Sequence, residues 1–149
     1  NRTMKVFKLT ILLLLPIFVL SSCSSVNLYY WGGNKNNTSK YEEMSYRYYR
    51  SHSPESLCDV FVVYHDVVEN PKGDRMMPPP GLCAEFAFLL VDEQCAQTFM
   101  NNASDKQKKQ IGRTDFLEYG VELLKKEMEY YPESRQFLEP ILNRITNKE

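Results

Sequence analysis

The stretch SPESLCDVFVVYHDVVEN, residues 53–70, decides the fold. Its valines suit a strand, but its period suits a helix. Leu57, Val60, Phe61, Tyr64, Val67 and Val68 fall at i, i+3, i+4, i+7, i+10 and i+11, which is one helical face and not the alternation of a strand. The ends agree with that reading. Ser53 can cap, Pro54 has its φ preset for the first helical position, and Glu55 suits the positive helix end. Asn70-Pro71 is a stop. A helix is expected over 54–69.

Working outward gives more helices. Before this stretch, Ser39 and Glu42 have capping-box spacing, and Tyr41, Met44 and Tyr48 recur on one face, broadened by Tyr46 and Tyr49. That predicts a helix over 41–51, paired with the next one as a hairpin. After it, residues 72–81 form a loop whose Pro78-Pro79-Pro80 run is extended. From Leu82 to Val91 only Glu85 is polar, the mark of a helix buried all round. Residues 92–112 are polar, with short helices read around 94–101 and 105–110. Asp115 and Glu118 repeat the capping-box spacing, and the next helix buries Phe116, Tyr119, Gly120, Leu123, Leu124 and Met128 and ends before Pro132. Ser134 is expected to cap a last helix with Phe137, Leu138, Ile141, Leu142 and Ile145 inward, and Pro140 predicts a kink or a late start. No strand is read, so the class is all-α in a single small domain.

Repeat spacing refines the class. Gly120, Leu124 and Pro132 match the second helix of a tetratricopeptide repeat, and Ala87 and Leu90 match the first. The two helices lie about 21 residues further apart than a 34-residue unit allows, and Glu127 stands where a small residue is usual. The reading is tetratricopeptide-like helical hairpins, one of them carrying an insertion.

Composition bounds the function. The 149 residues are 43% hydrophobic and 25% charged, an ordinary globular balance, with a formal net charge of −1. Without residues 1–22, which hold Arg2, Lys5 and Lys8, 15 basic side chains face 19 acidic ones, a net of −4. No basic stripe remains, so no nucleic-acid partner is expected. Lys106–Lys109 reads as a solvated helix face.

The N-terminal segment reads as a targeting sequence. Met4 is the expected start, Lys5 and Lys8 form a positive region, and Leu9 to Leu20 is apolar but shorter than a spanning helix. Leu20-Ser21-Ser22-Cys23 resembles a bacterial lipobox. The resemblance implies cleavage before Cys23, with a diacylglyceryl and an N-acyl lipid on that residue and no other cofactor. Several acyl chains hold a protein stably on a membrane without spanning it. Ser24 and Ser25 follow where an inner-membrane retention signal would carry Asp, which by analogy points to the outer membrane facing the periplasm. The expected organisation is a signal peptide over 1–22, an acylated tether with an aromatic segment over 23–38, and a helical domain over 39–149.

Three further motifs appear in order: Tyr30-Trp31-Gly32-Gly33, then Pro79-Pro80-Gly81-Leu82-Cys83-Ala84-Glu85-Phe86-Ala87, then Glu127-Met128-Glu129-Tyr130-Tyr131-Pro132-Glu133-Ser134. Together with Tyr41 and the lipobox they resemble a family of small bacterial lipoproteins, domain of unknown function 4810, over about residues 23–142. The long 92–115 segment departs from shorter members. The resemblance implies an accessory or assembly role at the cell envelope, beside a curli-secretion-type outer-membrane lipoprotein and a second small lipoprotein. The expected partner is an envelope lipoprotein or an outer-membrane secretion pore. The resemblance implies no catalytic residue.

Candidate chemistry is sparse. Tyr29, Tyr30 and Trp31 suit a headgroup-level anchor or a partner-docking strip. They equally suit a segment folded back on the domain through a Gly32-Gly33 turn. Glu85, a lone acid on an apolar helix, must be paired, neutral or at a surface, with Arg113 and the Glu127–Glu129 region as expected neighbours. It either holds the Pro-Gly loop or lines a partner-binding face. His52 and His65 have no metal-ligand spacing, and Cys58 and His65 lie two turns apart, so neither a metal site nor a nucleophile is read. Cys83 and Cys95, twelve apart on one expected helix, would be separated by about 18 Å, beyond the roughly 7 Å a disulfide tolerates. Any pair would need Cys58, and the alternative is three apolar fillers. A protein-interaction module is favoured over its rivals, a peptidoglycan-acting enzyme and a pilotin-like chaperone of one outer-membrane subunit.

Overall fold

A computed structural model describes residues 27–35 and 38–147. Cys23 and the lipobox lie outside the described residues. The protein is all-α. Its helices are α1 (Lys40–Ser51), α2 (Pro54–Glu69), α3 (Leu82–Val91), α4 (Glu93–Asn102), α5 (Asp105–Ile111), α6 (Phe116–Tyr130) and α7 (Arg135–Thr146). A 3₁₀ turn, Pro132–Ser134, joins the last two. No helix among the described residues is long and apolar enough to cross a membrane.

The deciding stretch is helical. Ser53 accepts from the Ser56 amide, Pro54 opens α2, and Asn70 closes it. All six residues of its apolar stripe are buried. Ser39 and Glu42 close a full capping box on α1, and α1 packs on α2 as a hairpin. Phe61 centres the core, stacked on Phe99 at 4.8 Å and edge-on to Phe86 and Phe116.

Helix α3 is packed by α2, α4 and above all α6. Gly120 sets that last approach. A Cβ there would lie 2.5 Å from Val91 Cγ1 and 3.1 Å from the Ala87 carbonyl. The two helices with repeat-like spacing are therefore direct neighbours, and α4 and α5 are inserted between them. Glu127 is 2% exposed and fills the position where a small residue was expected. Its Oε1 accepts the Gly81 amide at 2.6 Å, so a carboxylate from α6 serves the start of α3, where Gly81 has no side chain to cap with. Burial pushes this carboxyl up from its ordinary value.

Several expectations need correction. Helix α3 is not buried all round, because Phe88 is exposed and Leu89 and Val91 are half-buried. Cys83 and Cys95 do not share a helix. Asp92 leaves helical geometry at ψ 111° and its side chain caps α4 through the Cys95 amide. Cys58, Cys83 and Cys95 are all free thiols, the first two buried and the third half-buried. Asp115 precedes α6 without capping it, since Arg113 takes its carboxylate. Ser134 lies inside the 3₁₀ turn and caps nothing. Helix α7 runs through Pro140, and Leu138, Leu142 and Ile145 at i, i+4 and i+7 meet the core while Phe137 points out. A helix packed mainly on α6 and the 3₁₀ turn buries a narrow stripe, not the broad one expected.

The expected tether is, over the described residues 27–35, part of the packed body. The Asn27 and Leu28 carbonyls accept from the Asp74 and Arg75 amides at 3.1 Å each. Gly32 and Gly33, at φ 79° and 81°, turn the chain so that a two-stranded antiparallel ladder, β1 (Asn34–Lys35) with β2 (Thr38–Ser39), leads into α1. The sequence was read as having no strand. Pairs this short have no alternating pattern to read.

Candidate functional site

The helical spacing of α1 puts Tyr41, Ser45 and Tyr49 at i, i+4 and i+8, a polar stripe facing α2 and α3. Glu85, in the first turn of α3, meets it. Its Oε1 accepts the Tyr64 hydroxyl at 2.6 Å and the Tyr49 hydroxyl at 2.8 Å, and its Oε2 accepts Tyr41 at 2.9 Å. With its own proton committed to Glu85, Tyr64 accepts from Ser45 Oγ at 2.9 Å. The neighbours expected from the sequence lie elsewhere: Arg113 pairs with Asp115 and Glu122, and Glu127 serves Gly81. Among the described residues no Lys or Arg forms an ion pair with Glu85.

Burial first, and the Glu85 carboxylate next, push the Tyr41 and Tyr49 phenols up to about 12. Tyr64, more deeply buried, is pushed further the same way. All three therefore keep their protons near neutrality and act as donors, not as bases.

The aromatic trio does not form one strip. Tyr29 lies beside Tyr131, whose hydroxyl donates to the Pro78 carbonyl at 2.7 Å in the proline loop. Tyr30 donates to Asp66 on α2 at 2.7 Å, with Lys72 Nζ 4.6 Å from its ring centre. Trp31 turns to α1 and packs on Tyr41 at 5.0 Å. Tyr41 stacks in turn on Tyr64 at 5.4 Å. So the fold brings Trp31 and Glu85 together through Tyr41 and sends Tyr29 and Tyr30 elsewhere. Trp31 stays 37% exposed.

A second polar group links α2 and α6. Tyr119 donates to Glu69 at 3.0 Å, so His65 Nδ1 is the donor in its 2.9 Å contact with the Tyr119 oxygen. Arg113 lies over the Tyr119 ring. Burial lowers the His65 pKa. Burial pushes the neighbouring Cys83 thiol up to about 12, the opposite of what a nucleophile needs. Cys58 is shifted up as well, for the same reason. Among the described residues no three His, Cys, Asp or Glu side chains group as metal ligands.

Sequence reasoning missed one feature altogether. A groove of about 900 Å³ runs between α3 and α4 on one side and α6 and α7 on the other. Val91, Ala96, Met100, Leu117, Val121 and Ile145 line it. A signal was present: Met100 and Leu117 are large apolar residues that the core stripes leave unused. Compared with models of known families, with curated proteins and with solved structures, the chain matches none.

Proposed function

We propose that this chain is a lipid-anchored accessory protein of the bacterial cell envelope, held on the outer membrane by Cys23 and working by protein contact and not by catalysis. The lipobox-like Leu20–Cys23 motif supports the anchor. The resemblance to domain of unknown function 4810 supports an assembly role beside an envelope lipoprotein or a secretion pore. The close approach of α3 and α6 at Gly120 supports the tetratricopeptide-like reading, in which hairpins present a face to a partner. One observation carries the contact surface. Trp31 packs on Tyr41 and is left 37% exposed, near a Glu85 carboxylate without an ionic partner among the described residues. Trp and Tyr dominate binding energy where a rigid ring meets a partner. Protonated phenols and thiols shifted up by burial favour a binding surface over a hydrolase site.

The test is purification of the acylated protein from native cells after mild crosslinking, with mass spectrometry of what accompanies it. A single enriched envelope protein, lost with Trp31→Ala and kept with Tyr46→Ala, is the expected result. Tyr46 is the control because it is exposed on α1 and takes no part in the cluster. Equal recovery with both variants removes Trp31 from the contact. Release of muropeptide products by the purified protein would replace the binding reading with the enzymatic one.

A further inference from the structure

We propose that the groove between α3–α4 and α6–α7 docks an amphipathic helix of a partner protein, one with lysine or arginine bordering its apolar face. Three observations lead there. The groove's apolar side chains stand in two rows, Ala96 and Met100 on α4 and Leu117 and Val121 on α6, each pair one turn apart, with the polar Gln97, Asn101, Thr114 and Thr146 also in its lining. Met100 is 37% and Leu117 48% exposed, so large apolar side chains are left in water. Its charge has one sign. Glu93, Asp115 and Glu118 border it and no Lys or Arg does. Arg113 already takes Asp115, which leaves Glu93 and Glu118 without an ionic partner among the described residues.

These features choose the occupant. Two rows of apolar side chains spaced by one helical turn match the i, i+3, i+4, i+7 anchors of a helix laid in a groove. Carboxylates on the rim favour a cationic edge and disfavour nucleic acid or an anionic membrane surface. The groove shares no residue with the Trp31–Glu85 cluster, so this is a second contact surface and does not depend on the first.

The experiment uses the full chain in phosphatidylcholine nanodiscs, with empty nanodiscs as the blank. The probe is a fluorescein-labelled helical peptide of leucine and lysine, and its counterpart has every lysine replaced by glutamate. Fluorescence anisotropy reads binding. Expected are saturable binding of the lysine peptide above the blank and binding of the glutamate peptide at least about tenfold weaker. Met100→Gln with Leu117→Gln should weaken the lysine peptide by about tenfold or more, as hot-spot side chains do. Glu93→Gln with Glu118→Gln should weaken it by a smaller factor and flatten its salt dependence. Trp31→Ala should leave it unchanged, so that this proposal and the Trp31 contact fail separately. Circular dichroism of each variant confirms the fold. Binding no greater than the blank, or indifferent to the groove variants, overturns the proposal. So does a concentration-dependent dimer abolished by Leu117→Gln, which would make a second copy the occupant.

Discussion

Helix α3 faces two regions built in opposite ways. Toward α1 and α2, its half-buried Glu85 is met by the hydroxyls of Tyr41, Tyr49 and Tyr64. Toward α4, α6 and α7, its Val91 lines a groove whose apolar side chains have no covering among the described residues. In the first region a polar group is taken inside and satisfied there. In the second, apolar groups are left outside and unsatisfied. The Tyr64 hydroxyl is fully buried and would be costly to leave without an acceptor, so the fold needs Glu85 there. Exposed apolar side chains cost the fold little, so the second can stay open until something binds. On one helix, a carboxylate that the fold uses as an acceptor stands opposite apolar side chains that it leaves open.

The strongest way to break this comparison is Glu85→Ala. It leaves three phenols without their acceptor, and only Tyr64 keeps a second partner, Ser45. A loss of about 2–3 kcal/mol is expected, the scale for orphaned groups of this kind. Glu85→Gln keeps an acceptor for Tyr64 but offers an N–H to another hydroxyl, and should cost roughly half as much. Urea unfolding of both variants decides. An unchanged midpoint for Glu85→Ala would mean that the cluster is a surface decoration.

Next in size is Gly120→Ala, which acts where the two regions share α3. The new Cβ meets Val91 Cγ1 at 2.5 Å and the Ala87 carbonyl at 3.1 Å. Overpacking costs about 1–3 kcal/mol, and the better helix propensity of Ala returns up to about 1 kcal/mol. A net loss of about 1 kcal/mol is expected. Adding Val91→Ala removes the nearer clash, so the double variant should lose less than the sum of the two single losses. Simple additivity would place the strain elsewhere.

A smaller effect sharpens the comparison by pH. An unfolded tyrosine ionises near its ordinary value of 10.0, whereas Tyr41 and Tyr49 are raised to about 12 in the fold. The neutral phenol is the form the fold favours. Its contribution is therefore complete below pH 10.0 and is lost as pH rises through about 12. Phenolate absorbance and unfolding midpoints followed together should fall out of step with free tyrosine across that window. Tyr41→Phe with Tyr49→Phe should flatten the decline. A decline that keeps its full slope in that variant would assign the alkaline transition to other groups.

Much of the fold was legible because its signals are local. The stripe of α2 and the capping box of α1 each depend on a few neighbouring residues, and each appears as read. The failures arise where a spacing rule does not see which partners a side chain finds. Asp115 has capping-box spacing, but Arg113 claims its carboxylate. Leu82–Val91 is apolar enough to be enclosed, but too few elements surround it. For the site, Trp31 and Glu85 were both identifiable as unusual, and their connection through Tyr41 was not. That link requires knowing that α1 lies across the start of α3. The groove was least legible of all, because it forms only where α3 and α4 meet α6 and α7.

The smallest predicted effect is the one that tests whether the groove is a surface at all. Leu117 is 48% exposed at the start of α6, and Gln is nearly as good a helix former as Leu. Leu117→Gln should therefore stay within about 0.5 kcal/mol of the parent in urea unfolding, as surface changes do. The side chain makes no hydrogen bond that Gln would break, and its apolar surface is already largely in contact with water. A loss of about 1 kcal/mol or more would mean that Leu117 belongs to the core and that the groove closes in solution. Near-neutrality, set against the cost of Glu85→Ala on the other side of α3, would show that the two regions differ in kind. The apolar residues of the groove would then be retained for something other than stability.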